Sequence, residues 1–80
     1  MPMNLEQLRF KRTNEKGYIF NSSNGDVYEL NETSSIIAEG FFNNNLEESI
    51  KTILEIYHVD ESTVQNDVDE FCKFIREICE

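Results

Sequence analysis

Few side chains in this 80-residue chain are equipped for chemistry: one histidine, two cysteines and sixteen carboxylates. A general acid or base needs a positioned partner. His58 instead sits between Tyr57 and Asp60 at a helix end, where histidines are commonly solvated or cap the helix. Cys72 and Cys79 fall seven residues apart in one helical stretch. At 1.5 Å per residue their backbones lie about 10 Å apart, too far for a disulfide. Two free thiols suit a reducing compartment, and zinc needs more ligands than these. There is no Gly-rich phosphate loop and no nucleophile motif. The carboxylates are spread along helix exteriors, the pattern of a solvated face. These residues point to a protein that is not an enzyme and holds no cofactor and no metal.

Charge narrows the partners. Sixteen acidic residues against seven basic ones leave a formal charge of −9. Phosphate contacts need clustered Lys and Arg. The one basic cluster, Arg9, Lys11, Arg12 and Lys16, is small. The longest amphipathic stretch exposes Glu61, Asp67, Asp69, Glu70 and Glu77 against Lys73 and Arg76, a face that DNA would repel. Nucleic acid is not an expected partner. Nor is a membrane, since no apolar run approaches the roughly 18 residues a span requires and no signal-peptide pattern opens the chain. A single cytoplasmic domain over residues 1–80 is expected.

The elements follow from the hydrophobic period. Leu8-Arg9-Phe10-Lys11-Arg12 alternates apolar and basic residues, as a half-buried strand does. Residues 13–17 are polar and end in Gly, which suits a turn. Strands are expected at about 8–12, 18–21 and 27–30, the last two joined by a tight hairpin in which Asn24-Gly25 takes positive φ. Beyond Asn31 the period becomes helical. Asn31 is a fitting N-cap for a helix over 32–42, which buries Ile36, Ile37, Phe41 and Phe42. Gly40 weakens that helix unless a close contact needs its missing side chain. Asn43 is expected to end it in the left-handed conformation.

A second helix, 46–57, carries the stripe Leu46, Ile50, Ile53, Leu54 and Tyr57, with Asn45 and Glu48 spaced as a capping box. A third, about 61–79, is capped by Asp60 or by Ser62, with Gln65 placed to complete a box from Ser62. It steps Val64, Val68, Phe71, Ile75, Ile78 along one face. Three short strands followed by three helices define an α+β fold, a winged helix-turn-helix in outline.

One activity remains that such a molecule can perform. The marginal strand of a small sheet offers unpaired N–H and C=O groups, which an extended peptide satisfies by adding a strand. Val27-Tyr28-Glu29-Leu30 is the candidate margin. A groove between it and the third helix would combine backbone pairing, apolar pockets and acidic anchors for basic residues. Asp67, Glu70 and Phe74 lie off the main stripe of that helix. Phe74 has an equally simple role in widening the core face. The strand margin has two other natural covers, the N-terminal segment and a second copy of the chain.

A family likeness lies in the run from Gly25 to Ile37, Gly-Asp-Val-Tyr-Glu-Leu-Asn-Glu-Thr-Ser-Ser-Ile-Ile. It continues in Leu46-Glu47-Glu48-Ser49-Ile50 and in Val64-Gln65-Asn66-Asp67-Val68-Asp69-Glu70-Phe71. In this order the segments resemble the PqqD-like family, over about residues 8–79. The resemblance implies a winged helix-turn-helix recognition element for ribosomally synthesised and post-translationally modified peptides (RiPPs). Such an element binds the leader of a precursor peptide as an added strand against the third strand and third helix. Carried over, it implies Val27, Tyr28 and Glu29 for strand pairing, and Asp67, Glu70, Phe71 and Phe74 on the helix.

Two departures stand out. The Asp-Gly that commonly ends the first helix in that family is absent, Asn43 standing in its place, and the second helix starts at Asn45 rather than at Thr. A chain of this size resembles the discrete recognition proteins of lasso peptide pathways, which work with a leader peptidase and a cyclase. Discrete members also serve radical-SAM maturases. The rival reading is a winged-helix regulatory or structural module that dimerises through its edge strand or third helix, so both a monomer and a homodimer are open.

Overall fold

The alternating segments pair as strands β1 (Leu8–Arg12), β2 (Gly17–Asn21) and β3 (Asp26–Leu30) in a computed structural model that describes residues 5–14 and 16–79. The sheet is antiparallel in the order β1-β2-β3. Register runs from Leu8 opposite Asn21 to Arg12 opposite Gly17, and from Gly17 opposite Leu30 to Asn21 opposite Asp26. Leu8, Ile19 and Leu30 are buried on the face that meets the helices, while Arg9, Lys11, Phe20, Val27 and Glu29 are exposed on the other. A 3₁₀ turn, Leu5–Gln7, precedes β1. Of the polar turn at 13–17, Glu15 lies outside the described residues. The second and third strands each begin one residue earlier than the sequence pattern suggests.

The hairpin between β2 and β3 is wider than a two-residue turn. Ser22 to Gly25 form the loop, closed by the Gly25 N–H donating to the Asn21 carbonyl at 2.7 Å. Only Gly25 takes positive φ, at 82°. Asn24 instead accepts a hydrogen bond from the Asp26 N–H through Oδ1 at 2.9 Å, the Asx turn that this residue type favours. Asn21 belongs to the strand because its side chain is buried and engaged elsewhere. Its Nδ2 donates to the Ile78 carbonyl at 2.8 Å, and its Oδ1 accepts from the Ser23 N–H at 3.0 Å. A buried amide needs such partners.

Helices α1 (Glu32–Phe42), α2 (Leu46–Tyr57) and α3 (Glu61–Ile78) follow. Asn31 caps α1, its Oδ1 accepting from the Ser34 N–H at 2.8 Å. The left-handed residue beyond α1 is Asn44 (φ 59°), not Asn43, which has φ −93°. The Asn45 N–H bonds to the Gly40 carbonyl at 2.7 Å and the Asn44 N–H to the Phe41 carbonyl at 3.3 Å. That pair of bonds is a Schellman ending, which places the left-handed residue one position past the cap.

The same ending removes the expected capping box. Asn45 has spent its N–H on α1, and its side chain makes no cap bond to α2. The box at α3 is absent as well. Asp60 holds the cap position without a side-chain bond, Ser62 lies inside the helix, and Gln65 Nε2 donates to Asp69 at 3.0 Å. The third helix stops at Ile78, with Cys79 as its cap.

Gly40 meets the condition set by its position. A Cβ there would lie 2.0 Å from Ser49 Oγ and 2.7 Å from the Asn45 carbonyl oxygen. Ser49 Oγ in turn donates to the Ile36 carbonyl at 2.7 Å, so α1 and α2 touch through a glycine facing a small hydroxyl. Ile53 from α2 and Val64, Val68, Phe71 and Ile75 from α3 close the core over the sheet. At the end of β1, Arg12 is ion-paired with Glu39 of α1.

Candidate functional site

The backbone of β3 defines the site. Along an antiparallel ladder, residue pairs alternate between facing each other with their N–H and C=O groups and turning them away. The bonds Thr13 N–H to Lys16 carbonyl and Ser22 N–H to Gln7 carbonyl, both 2.8 Å, fix the phase between β1 and β2. By alternation from those two, Tyr18 and Phe20 bond to β1. Gly17, Ile19 and Asn21 then face β3, opposite Leu30, Tyr28 and Asp26. Val27 and Glu29 therefore direct their N–H and C=O groups outward, away from β2. With β3 last in the strand order, no strand among the described residues meets them.

Across that open edge stands α3. Asp67, Glu70, Phe71 and Phe74 are spaced three, one and three apart and share one helical face. A groove of about 650 Å³ runs between this face, β3 from Val27 to Leu30, and the link into α1 at Asn31, Thr33 and Ser34. All seven residues singled out from the sequence line it. Leu30, Asn31, Thr33 and Ser34 were not among them. Their signal was continuity, since they prolong β3 directly into the α1 cap.

The groove has two different ends. Asn21, opposite Asp26, bonds to Ile78, and Tyr28 packs edge-to-face on Phe74 with ring centroids 5.3 Å apart. The chain of α3 thus runs antiparallel to β3, which puts Asp67 and Glu70 toward Leu30 and Asn31. At the aromatic end Phe74 is half-buried, shared between core and groove, and also leans on Phe71 at 6.4 Å. Phe71 is mostly core: it is buried and stacks edge-on against Phe41 at 5.5 Å. Desolvation raises the Tyr28 phenol above the ordinary tyrosine range, and the charge of Asp26 and a 3.4 Å hydrogen bond to it add to the effect.

At the acidic end the carboxylates differ in their partners. Glu29 is paired with Lys16 at 2.9 Å, a contact that raises the lysine above its usual range. Among the described residues no ion pair engages Asp67 or Glu70.

The other chemistry-bearing residues are not brought to this groove. His58 is exposed in the left-handed cap of α2, with φ 52°. Cys72 and Cys79 are free and half-buried, and burial raises the Cys79 thiol. Among the described residues no cluster of three or more His, Cys, Asp or Glu side chains is arranged to hold a metal ion. No helix among them is long and apolar enough to cross a membrane.

An antiparallel three-stranded sheet followed by three helices, with its last strand left open beside the last helix, is an α+β architecture with a ready place for an added strand. Residues 16–78 match the family described as coenzyme PQQ synthesis protein D (PqqD), and the chain belongs to that family. A comparison with curated proteins gives no match. Among solved structures the chain is similar to TbiB1 in complex with the TbiA(beta) leader peptide. The TM-score is 0.77 over 96% of this chain and 90% of that one, at 19% sequence identity, a likeness of fold.

Proposed function

We propose that this protein is a RiPP recognition element, which binds the leader of a precursor peptide as a fourth strand on β3 and presents the precursor to modifying enzymes. The observation that carries this reading is the pair of outward-facing peptide groups at Val27 and Glu29, set beside the Tyr28–Phe74 floor of the groove. Family membership supports it, as does the leader peptide held by a protein of the same fold.

A leader is flexible when free, so ordering it costs entropy, which new backbone hydrogen bonds and apolar anchoring offset. Val27, Tyr28 and Glu29 form the pairing strand, Phe74 and the edge of Phe71 receive apolar side chains, and Asp67 and Glu70 form the acidic wall. The domain itself makes and breaks no bonds. Its contribution is tethering, which raises the effective concentration of the core peptide at a separate enzyme. In the cytoplasm that enzyme is a leader peptidase with its cyclase, as in lasso peptide pathways, or a radical-SAM maturase.

The test is a fluorescence-anisotropy titration with the labelled leader of the precursor encoded beside this protein. A dissociation constant at or below about 1 μM, equivalent to about −8 kcal/mol, is expected. Folded protein that binds no leader and instead gains mass with concentration would refute the proposal in favour of a module that pairs with itself.

A further inference from the structure

We infer that the groove selects a peptide by a basic residue placed two positions before an apolar one, read by Asp67 and Glu70 on one side and by Phe74 and Tyr28 on the other. The inference rests on strand addition at β3 and names the class of peptide that the edge accepts.

The spacing comes from two repeats. Phe74 and Glu70 are four residues apart on α3, a rise of about 6 Å at 1.5 Å per residue. Side chains on one face of an added strand recur every second residue, about 6.6 Å apart. An apolar side chain seated at Phe74 therefore brings its same-face neighbour level with Glu70, with Asp67 a further turn along. Order comes from direction. Antiparallel addition, the mode of both existing ladders, runs the peptide from the Leu30 end of β3 toward Asp26. The acidic end of the groove is met first, so the basic residue precedes the apolar one.

The charge requirement comes from what surrounds the two carboxylates. Lys16, whose ammonium reaches β3, is taken by Glu29. Lys73 and Arg76 of α3 do not line the groove. Four of the seven basic residues lie in the segment from Arg9 to Lys16, while the helices hold most of the acidic ones. A peptide cation entering beside Asp67 and Glu70 meets two negative charges that no ion pair among the described residues engages, whereas a peptide carboxylate is repelled there. A single contact of this partly exposed kind corresponds to about a 1.4-fold to fivefold gain in affinity.

A displayed library of random peptides, panned in parallel on the full-length protein and on its Asp67→Asn/Glu70→Gln and Asp67→Lys/Glu70→Lys variants, tests this. Each variant is first checked for an unchanged unfolding transition. Lys or Arg two positions before a large apolar residue should be enriched on the parent. The neutral variant should keep the apolar preference and lose the basic one, and the reversed variant should select Asp or Glu instead. An apolar preference with no basic partner on the parent, a basic residue following rather than preceding the apolar one, or a basic preference that survives in the variants would overturn the inference while leaving peptide binding intact. Enrichment of no motif on any of the three proteins would overturn both readings.

Discussion

Proline placed along β3 separates the edge of the sheet from its ladder. The N–H of Val27 points away from β2 and that of Tyr28 toward it, as the alternation from the 2.8 Å bonds at Thr13 and Ser22 requires. Val27→Pro therefore deletes a donor that no strand uses. The residue is 62% exposed, so little packing is lost, and proline is tolerated on an edge strand with its nitrogen outward. Stability should change by less than about 1 kcal/mol in urea unfolding.

Binding should change far more. Val27 and Glu29 offer four outward groups, and at about 1 kcal/mol net per hydrogen bond an added strand gains about 4 kcal/mol from them. Removing one donor strands a peptide carbonyl, at a cost of about 1–3 kcal/mol, and sets a ring methylene in its path. Leader affinity measured by anisotropy should fall about tenfold to a hundredfold. Tyr28→Pro behaves differently, because it breaks a ladder bond and the Tyr28–Phe74 contact, and it should destabilise the fold by about 3 kcal/mol or more. A folded Val27→Pro protein that binds leader as tightly as the parent would refute strand addition. Unfolding of Val27→Pro to the same extent as Tyr28→Pro would refute the register.

Phe74→Ala should weaken leader binding by at least about tenfold, since its ring lines the groove, whereas Glu77→Ala, outside the groove, should leave binding unchanged; equal losses would remove Phe74 from the site. Gly40→Ala sets a methyl against Ser49 Oγ and the Asn45 carbonyl. It should destabilise the fold by about 1–3 kcal/mol despite the better helix propensity of alanine, a loss read from the shift in urea midpoint. Tyr57, whose hydroxyl donates to Glu32, and Tyr28 should both ionise above the ordinary tyrosine value of 10.0. Their folded-state values are raised, so the stabilisation they confer is full below that pH and is lost as pH rises through the raised values. Ultraviolet titration of the single Tyr→Phe variants assigns the two phenols.

What could be read in advance divides by the range of the interaction. The alternation over Leu8–Arg12 and the four-three stepping from Val64 to Ile78 are patterns of burial, and burial is decided by whole faces, so strands and helices lie within a residue of where the pattern puts them. A meander also leaves β3 at an edge by its order alone, which is why Val27, Tyr28 and Glu29 were legible as a margin. Caps were less legible. Three consecutive asparagines can each adopt the left-handed conformation, and only the Schellman bonds to Gly40 and Phe41 select Asn44. Those same bonds consume the N–H that a capping box at Asn45 needs. Asn21 falls at the end of the expected second strand, but its burial has no local signal, since its decisive partner is Ile78, fifty-seven residues away. Phe74 allowed two readings, core and groove, and its half-buried ring beside Tyr28 serves both.

Backbone hydrogen exchange of the protein with and without its neighbouring leader peptide tests the central claim most directly. Strand addition on β3 requires the amides of Val27 and Glu29, open to solvent in the free protein, to gain strong protection on binding, while Tyr28, already bonded to β2, changes least among the three. Leader binding that protects β1 or α2 and leaves Val27 and Glu29 exchanging at their free rates would contradict it.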